Sequence, residues 1–301
     1  MAFYTQRSML QSPPKYPIPG DGSTLGLQLG TRQPFSHRLP DYMGKTFTAA
    51  CQFMRIANEI TINHLFEDDE VERRRQDLQF AETIYHQLLD WSDRTSLRLT
   101  GDESDTDHKG ILHMWFHARM LDLFRPLYAE PLRLRTFAYR ECTSRDIYVA
   151  SLNQLKRHVF VFPYRFNCSG RSTWFTLGLL QLTASVVADP MASDSRFWFG
   201  VCMAAWARLN QAYLLTIQIL RVYAGLGVRH GIYSSDDAEN LKQMQNHQSP
   251  RVIAADFVLD LNLALKNKQK ARMDHLVDDL RKGMNLEGDA NNDVTDTQSN
   301  K

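Results

Sequence analysis

The stretch Ile111-Leu112-His113-Met114-Trp115-Phe116-His117-Ala118-Arg119-Met120-Leu121-Asp122-Leu123-Phe124-Arg125-Pro126-Leu127 decides the fold class. Its apolar residues (Ile111, Leu112, Trp115, Phe116, Met120, Leu121, Leu123, Phe124) surround a helix rather than lining one face. A helix that is hydrophobic all round belongs at the centre of a domain, walled in by other elements. Pro126 has no amide proton and its ring clashes with the preceding turn, so the helix is expected to end or kink there.

Helical spacing continues on both sides of this segment. Phe53, Ile56, Ala57, Ile60 and Leu65 form one stripe, and Leu78, Ala81, Tyr85 and Leu88 form a second, widened by Ile84 and Trp91. Thr95 to Thr106 reads as a polar, acidic loop. Thr143 or Ser144 suits a helix cap, with Asp146 in the first turn complementing the positive end of the dipole. Tyr148, Leu152, Leu155 and Val159 then share a face, while Val159-Phe160-Val161-Phe162 fits a helix end or a short strand equally well. Trp174–Val187 and Phe197–Tyr223 read as buried helices, Gly225 and Gly227 suit a helix exit, and Ser249-Pro250 signals a further start with Ile253, Phe257, Leu261 and Leu265 on its face.

No run shows the strict alternation of an exposed strand, so the expected class is all-α: a single large, bundle-like helical domain with flexible N- and C-terminal tails. Residues 1–45 are rich in Pro and Gly and are expected to be extended, residues 46–285 to form the helical domain, and the acidic residues 286–301 to be disordered.

Composition narrows the function. The chain has 301 residues, 43% hydrophobic and 23% charged, which suits a sizeable core. Lys+Arg 35 against Asp+Glu 34 leaves a formal charge of +1, so no net field draws nucleic acid or anionic lipid. Four cysteines, at 51, 142, 168 and 202, contain no CxxC pair, which excludes a zinc site built on local cysteine pairs. The uncharged run Ser172–Ala188 is too short and too polar to span a bilayer, and no signal peptide is evident in the first 30 residues. Arg73-Arg74-Arg75 and the set Lys266, Lys268, Lys270 and Arg272 read as solvated helix faces, with a nuclear signal or nucleic-acid patch as the alternative.

Local catalytic signatures are absent: there is no GxSxG, HExxH or P-loop sequence. His113 and His117 stand at i, i+4 on one helix face, a spacing used for metal pairs, although Met114 occupies the place where a zinc protease has its glutamate. The first reading is a pair of core histidines bonded to backbone or water, the second a ligand or metal role. Arg125, on the same apolar segment, must find a partner; Asp122 lies three residues earlier, and an anion-binding role is the alternative.

Leu112-His113-Met114-Trp115-Phe116-His117-Ala118, followed by Phe124-Arg125-Pro126-Leu127, resembles the regulatory middle region of fungal zinc binuclear cluster transcription factors, where a helix reading roughly L-H-M-x-Y-H-A leads to R-P-F or R-P-L. Leu88-Leu89-Asp90-Trp91 resembles the family's leucine-tryptophan helix. Asn153-Gln154-Leu155-Lys156-Arg157, Trp174, Cys202 and Gly231-Ile232-Tyr233-Ser234-Ser235 follow in the order of the nitrate-assimilation-regulator branch. Where the family pattern has W-H-T, this chain has Trp174-Phe175-Thr176. The resemblance spans roughly residues 45–245.

The resemblance implies a nuclear transcriptional regulator and not an enzyme: an effector-sensing part of a pathway-specific factor, such as one of secondary metabolism, with no cofactor or metal of its own. His113, His117, Arg125 and Trp174 are its candidate ligand pocket. Implied partners are other transcription-factor subunits or co-regulators and a small-molecule effector, with no membrane. DNA enters only if an N-terminal zinc cluster is supplied, because the family's six-cysteine module is not in this sequence. That module is expected either upstream of Met1 or not at all. The alternatives are a fingerless protein that sequesters full-length factors and an α-helical metal-dependent enzyme built on His113 and His117.

Overall fold

The computed structural model describes residues 41–66, 70–95, 107–135, 141–166, 172–210, 212–213, 215–234, 237, 258–267 and 269–279, without the side chains of 41–45, 61–66, 70–77, 107 and 215. The described part is 78% helical and contains no strand, so the fold is mainly all-α. In chain order the helices are α1 (Asp41–Phe66), α2 (Glu70–Arg94), α3 (Asp107–Phe124), α4 (Ser144–Arg165), α5 (Thr176–Ala188) preceded by a 3-10 turn at Thr173–Phe175, α6 (Ser195–Asn210), α7 (Leu215–Arg229) and α8 (Leu261–Lys266), with 273–279 also helical. Among the described residues, no helix is long and apolar enough to cross a membrane.

The chain divides into two compact units at Phe166 and Asn167, a partition not foreseen within the expected 46–285 domain. Helix α1 also begins earlier than expected, at Asp41, directly after Pro40, the last proline of the N-terminal segment. The extended segment 1–40, the acidic loop at 96–106, the Ser249-Pro250 start, the side chains of Arg73 to Arg75 and the 286–301 tail all lie outside the described residues.

In the first unit, α3 is the central element. Every residue from Ile111 to Arg125 is buried, as its all-round hydrophobicity requires. The stripes of α1 and α2 close on it through an aromatic cluster: Phe53 lies 5.0 Å from Trp91 and 6.0 Å from Trp115, and Trp91 stacks 6.4 Å from Phe116. The Trp91 indole N–H donates to the Ala49 carbonyl at 2.9 Å, so this buried ring carries no unsatisfied donor. Helix α3 stops at Phe124, before Pro126, and tight turns follow, with the Leu127 amide donating to the Phe124 carbonyl at 3.1 Å.

The turn after Pro126 is tied to the start of α4. The Ser144 hydroxyl donates to the Leu127 carbonyl at 3.0 Å and accepts from the Leu132 amide at 3.1 Å. Thr143 caps α4 in a capping box with Asp146, as the sequence suggests. The ambiguous Val159–Phe162 segment is helical: α4 runs on to Arg165, with Val159 and Phe162 buried and Pro163 accommodated in the last turn.

In the second unit, α5 is buried from Gly178 to Val187. The expected Phe197–Tyr223 helix is two helices, α6 and α7. Trp206 donates to the Thr183 hydroxyl at 3.0 Å, and the Tyr223 hydroxyl donates to the Leu259 carbonyl at 2.9 Å. Gly225 and Gly227 are not the helix exit. Helix α7 passes through both, because Gly227 serves packing: a Cβ there would stand 2.6 Å from the Phe199 ring. The exit is Gly231 at φ +72°, with the Ile232 amide donating to the Gly227 carbonyl and the Gly231 amide to the Val228 carbonyl, both at 2.9 Å.

Candidate functional site

His113 and His117 are both buried, and the structure adds a third histidine, His158 of α4. His113 meets His158 edge to face at 5.4 Å between ring centres, and His117 stacks on His158 at 5.7 Å with the planes 26° apart. Phe116 closes another side of His117, its ring centre 5.2 Å away. His158 was not foreseen, although extending the Leu155, Val159, Phe162 pattern as a helix places it beside that buried face.

Burial dominates the electrostatics of the cluster. It depresses the His117 pKa to about 3, helped by the neighbouring His158 and His113. His158 falls to about 4, first from burial, then from His113, Arg157 and Arg165. Both imidazoles are therefore neutral at pH 7. Buried His117 Nδ1 has no hydrogen-bond partner among the described residues. Because the rings meet face to face or edge to face, their contact is one of stacking, and among the described residues no group of three or more His, Cys, Asp and Glu is placed to hold a metal ion.

One turn beyond the cluster, Arg119 and Asp122 form a buried ion pair, with Nη1 donating to Oδ2 at 2.7 Å. Asp122, the residue the sequence offers to Arg125, is bonded to Arg119 three residues earlier, a partner that i−3 spacing on a helix allows equally well. Arg125 is buried and lies 5.8 Å above the Tyr148 ring. Tyr148 in turn sits 4.8 Å from Tyr128, and Arg145 covers the far side of Tyr128 at 5.2 Å. This row of two guanidinium groups and two rings joins the end of α3 to the start of α4.

His113 and His117 are thus brought together, while Arg125 stands eight residues, or about 12 Å of helix rise, beyond His117. Trp174 belongs to the second unit, where it is 58% exposed in the 3-10 turn before α5. The chemistry available in the first unit is that of a buried polar seam between α3 and α4, with neutral imidazoles at one end and a guanidinium over an aromatic ring at the other, and the buried Arg119–Asp122 pair on α3 between these two levels. The chain matches no protein-family model, no curated protein and no solved structure.

Proposed function

We propose that this chain is the effector-sensing regulatory part of a fungal pathway-specific transcription factor, acting in the nucleus without turning over a substrate. One observation carries the reading. The residues that bear the resemblance, Leu112–Ala118 and Phe124–Leu127, form the buried part of helix α3 and its exit turn, and they hold the polar seam against α4. A buried helix with five polar side chains (His113, His117, Arg119, Asp122, Arg125) is a poor choice for stability alone, because each must be satisfied away from water. Such a seam suits a helix pair with two packings, whose populations a ligand shifts by its differential affinity. DNA contact then falls to a zinc cluster outside this sequence, with a partner subunit or co-regulator receiving the signal.

The test is a reporter assay with the full chain fused to an unrelated DNA-binding module. Activation or repression that changes on substituting His113, His117 or Arg125 is the expected result. A reporter indifferent to the tethered, folded chain overturns the regulatory reading.

A further inference from the structure

Helices α3 and α4 are antiparallel. His113 and His117 face His158, Arg125 faces Tyr148, and a Cβ on Gly110 would come 3.3 Å from the Phe162 ring. The first turn of α3 and the last turn of α4 therefore lie at the same end of the seam. On α3, Lys109, His113 and His117 follow one another at i, i+4 and i+8, one face of the helix. On α4, His158 and Arg165 share a face two turns apart. We propose that this end of the α3–α4 seam, built from Lys109, His113, His117, His158 and Arg165, binds a small multivalent oxyanion, carboxylate or phosphate in kind.

Three observations support the assignment. Among the described residues the titratable neighbours of His117 and His158 are all basic: His113, Arg157, Arg165 and each other, with no carboxylate among them. On its other side α3 meets the rings of Phe53 and Trp91, which carry no charge. Farther along the same helix the fold does supply a carboxylate for a buried cation, in the Arg119–Asp122 pair, so the one-sided cluster is a local feature. Among the described residues His117 Nδ1 is buried without a hydrogen bond, and burial leaves such an atom without the partner that water would give it. Half-buried Lys109 and His158 and exposed Arg157, Arg165 and His108 leave the cluster reachable from solvent. An oxyanion there pairs with the cationic Lys109 and Arg165 and favours the protonated form of His158, which then donates to it.

The site is the ligand-class counterpart of the effector-sensing reading and rests on that reading only for its biological use. The experiment is an NMR titration of the histidine imidazoles of the full chain with citrate and, separately, inorganic phosphate, against sodium chloride at matched ionic strength. The expected result is a saturable change centred on His158, whose pKa rises by at least one unit. Lys109→Gln and Arg165→Gln should each weaken binding at least fivefold while the ligand-free melting temperature holds or rises. Saturation by citrate alone makes the ligand a carboxylate, and by phosphate alone a phosphate. Changes reproduced by chloride, or undiminished in Arg165→Gln, overturn the site. Oxyanion binding with an indifferent reporter leaves the site standing and overturns the regulatory reading; a responding reporter without oxyanion binding does the reverse.

Discussion

The imidazole of His117 on α3 stacks on that of His158 on α4, with ring centres 5.7 Å apart. Both pKa values are depressed, to about 3 and about 4. The folded state therefore binds these protons less readily than the unfolded chain, whose histidines titrate near 6.5. With more protons bound in the unfolded state, stability rises with pH across this window. It is fully present above about pH 6.5 and is lost progressively down to about pH 3–4. Since each pKa unit is worth about 1.4 kcal/mol, the two shifts together make the loss over this window several kcal/mol. Urea unfolding at pH 7, 5.5 and 4.5 should show this fall, and His158→Gln should flatten it. An unchanged slope in that variant would place the acid sensitivity elsewhere.

The Arg119–Asp122 pair has a separate signature. Both side chains are nearly inaccessible, so removing one partner deprives the other of a buried, hydrogen-bonded counter-charge. Asp122→Leu and Arg119→Met should each destabilise the chain by about 3–5 kcal/mol. The double variant Arg119→Met/Asp122→Leu should recover most of that, because apolar groups need no partner. The coupling, read from chemical denaturation of all four proteins, should be well above 1 kcal/mol in magnitude. Strict additivity would mean that the contact contributes little.

How far the fold was legible follows from which signals are local. The all-round hydrophobicity of Ile111–Phe124 and the stop at Pro126 lie in the sequence itself, and so do the Thr143–Asp146 cap and the stripes of α1 and α2. What escaped depends on neighbours distant in sequence. Gly227 reads as a helix exit by composition, but its place is set by the Phe199 ring on another helix. His158 is unremarkable until α4 is known to continue past Val159 and to lie against His113 and His117. The division at Phe166 and Asn167 falls beside the turn-forming residues Asn167-Cys168-Ser169-Gly170, but such a cluster marks any loop, and helical periodicity is alike on both sides. In the candidate site, His113, His117 and Arg125 were readable as polar residues on an apolar helix; the partners that define their chemistry were not.

The cap of α4 offers a prediction of modest size. The Thr143 hydroxyl accepts from the Asp146 amide at 3.3 Å and donates to its carboxylate at 2.7 Å, while the Thr143 amide donates to the same carboxylate at 2.8 Å. These hydrogen bonds hold the Asp146 carboxyl below its ordinary pKa. Thr143→Ala should lose about 1 kcal/mol in chemical denaturation, the usual worth of a threonine cap. Thr143→Ser should retain nearly all of it. Equal losses in the two variants would show that the methyl group, and not the cap, matters.

Gly227 and Gly231 stand four residues apart and should respond to alanine for different reasons. At Gly227 a Cβ would collide with the edge of the fully buried Phe199 ring, which has little room to retreat. Overpacking of this kind costs about 1–3 kcal/mol. Phe199→Leu, which shortens the facing side chain, should make Gly227→Ala less harmful than it is in the parent. At Gly231 no atom lies within 4 Å of an added Cβ, but φ is +72°, a left-handed conformation that costs an L-residue roughly 1–2 kcal/mol. Gly231→Ala should therefore be destabilising in either background, with no rescue from Phe199→Leu, and Gly231→Asn should be milder because asparagine tolerates this region. Melting temperatures of the six variants distinguish the two mechanisms: rescue at 227 and none at 231 is the expected pattern, and rescue at both would mean that the exit turn and the α6–α7 contact move together.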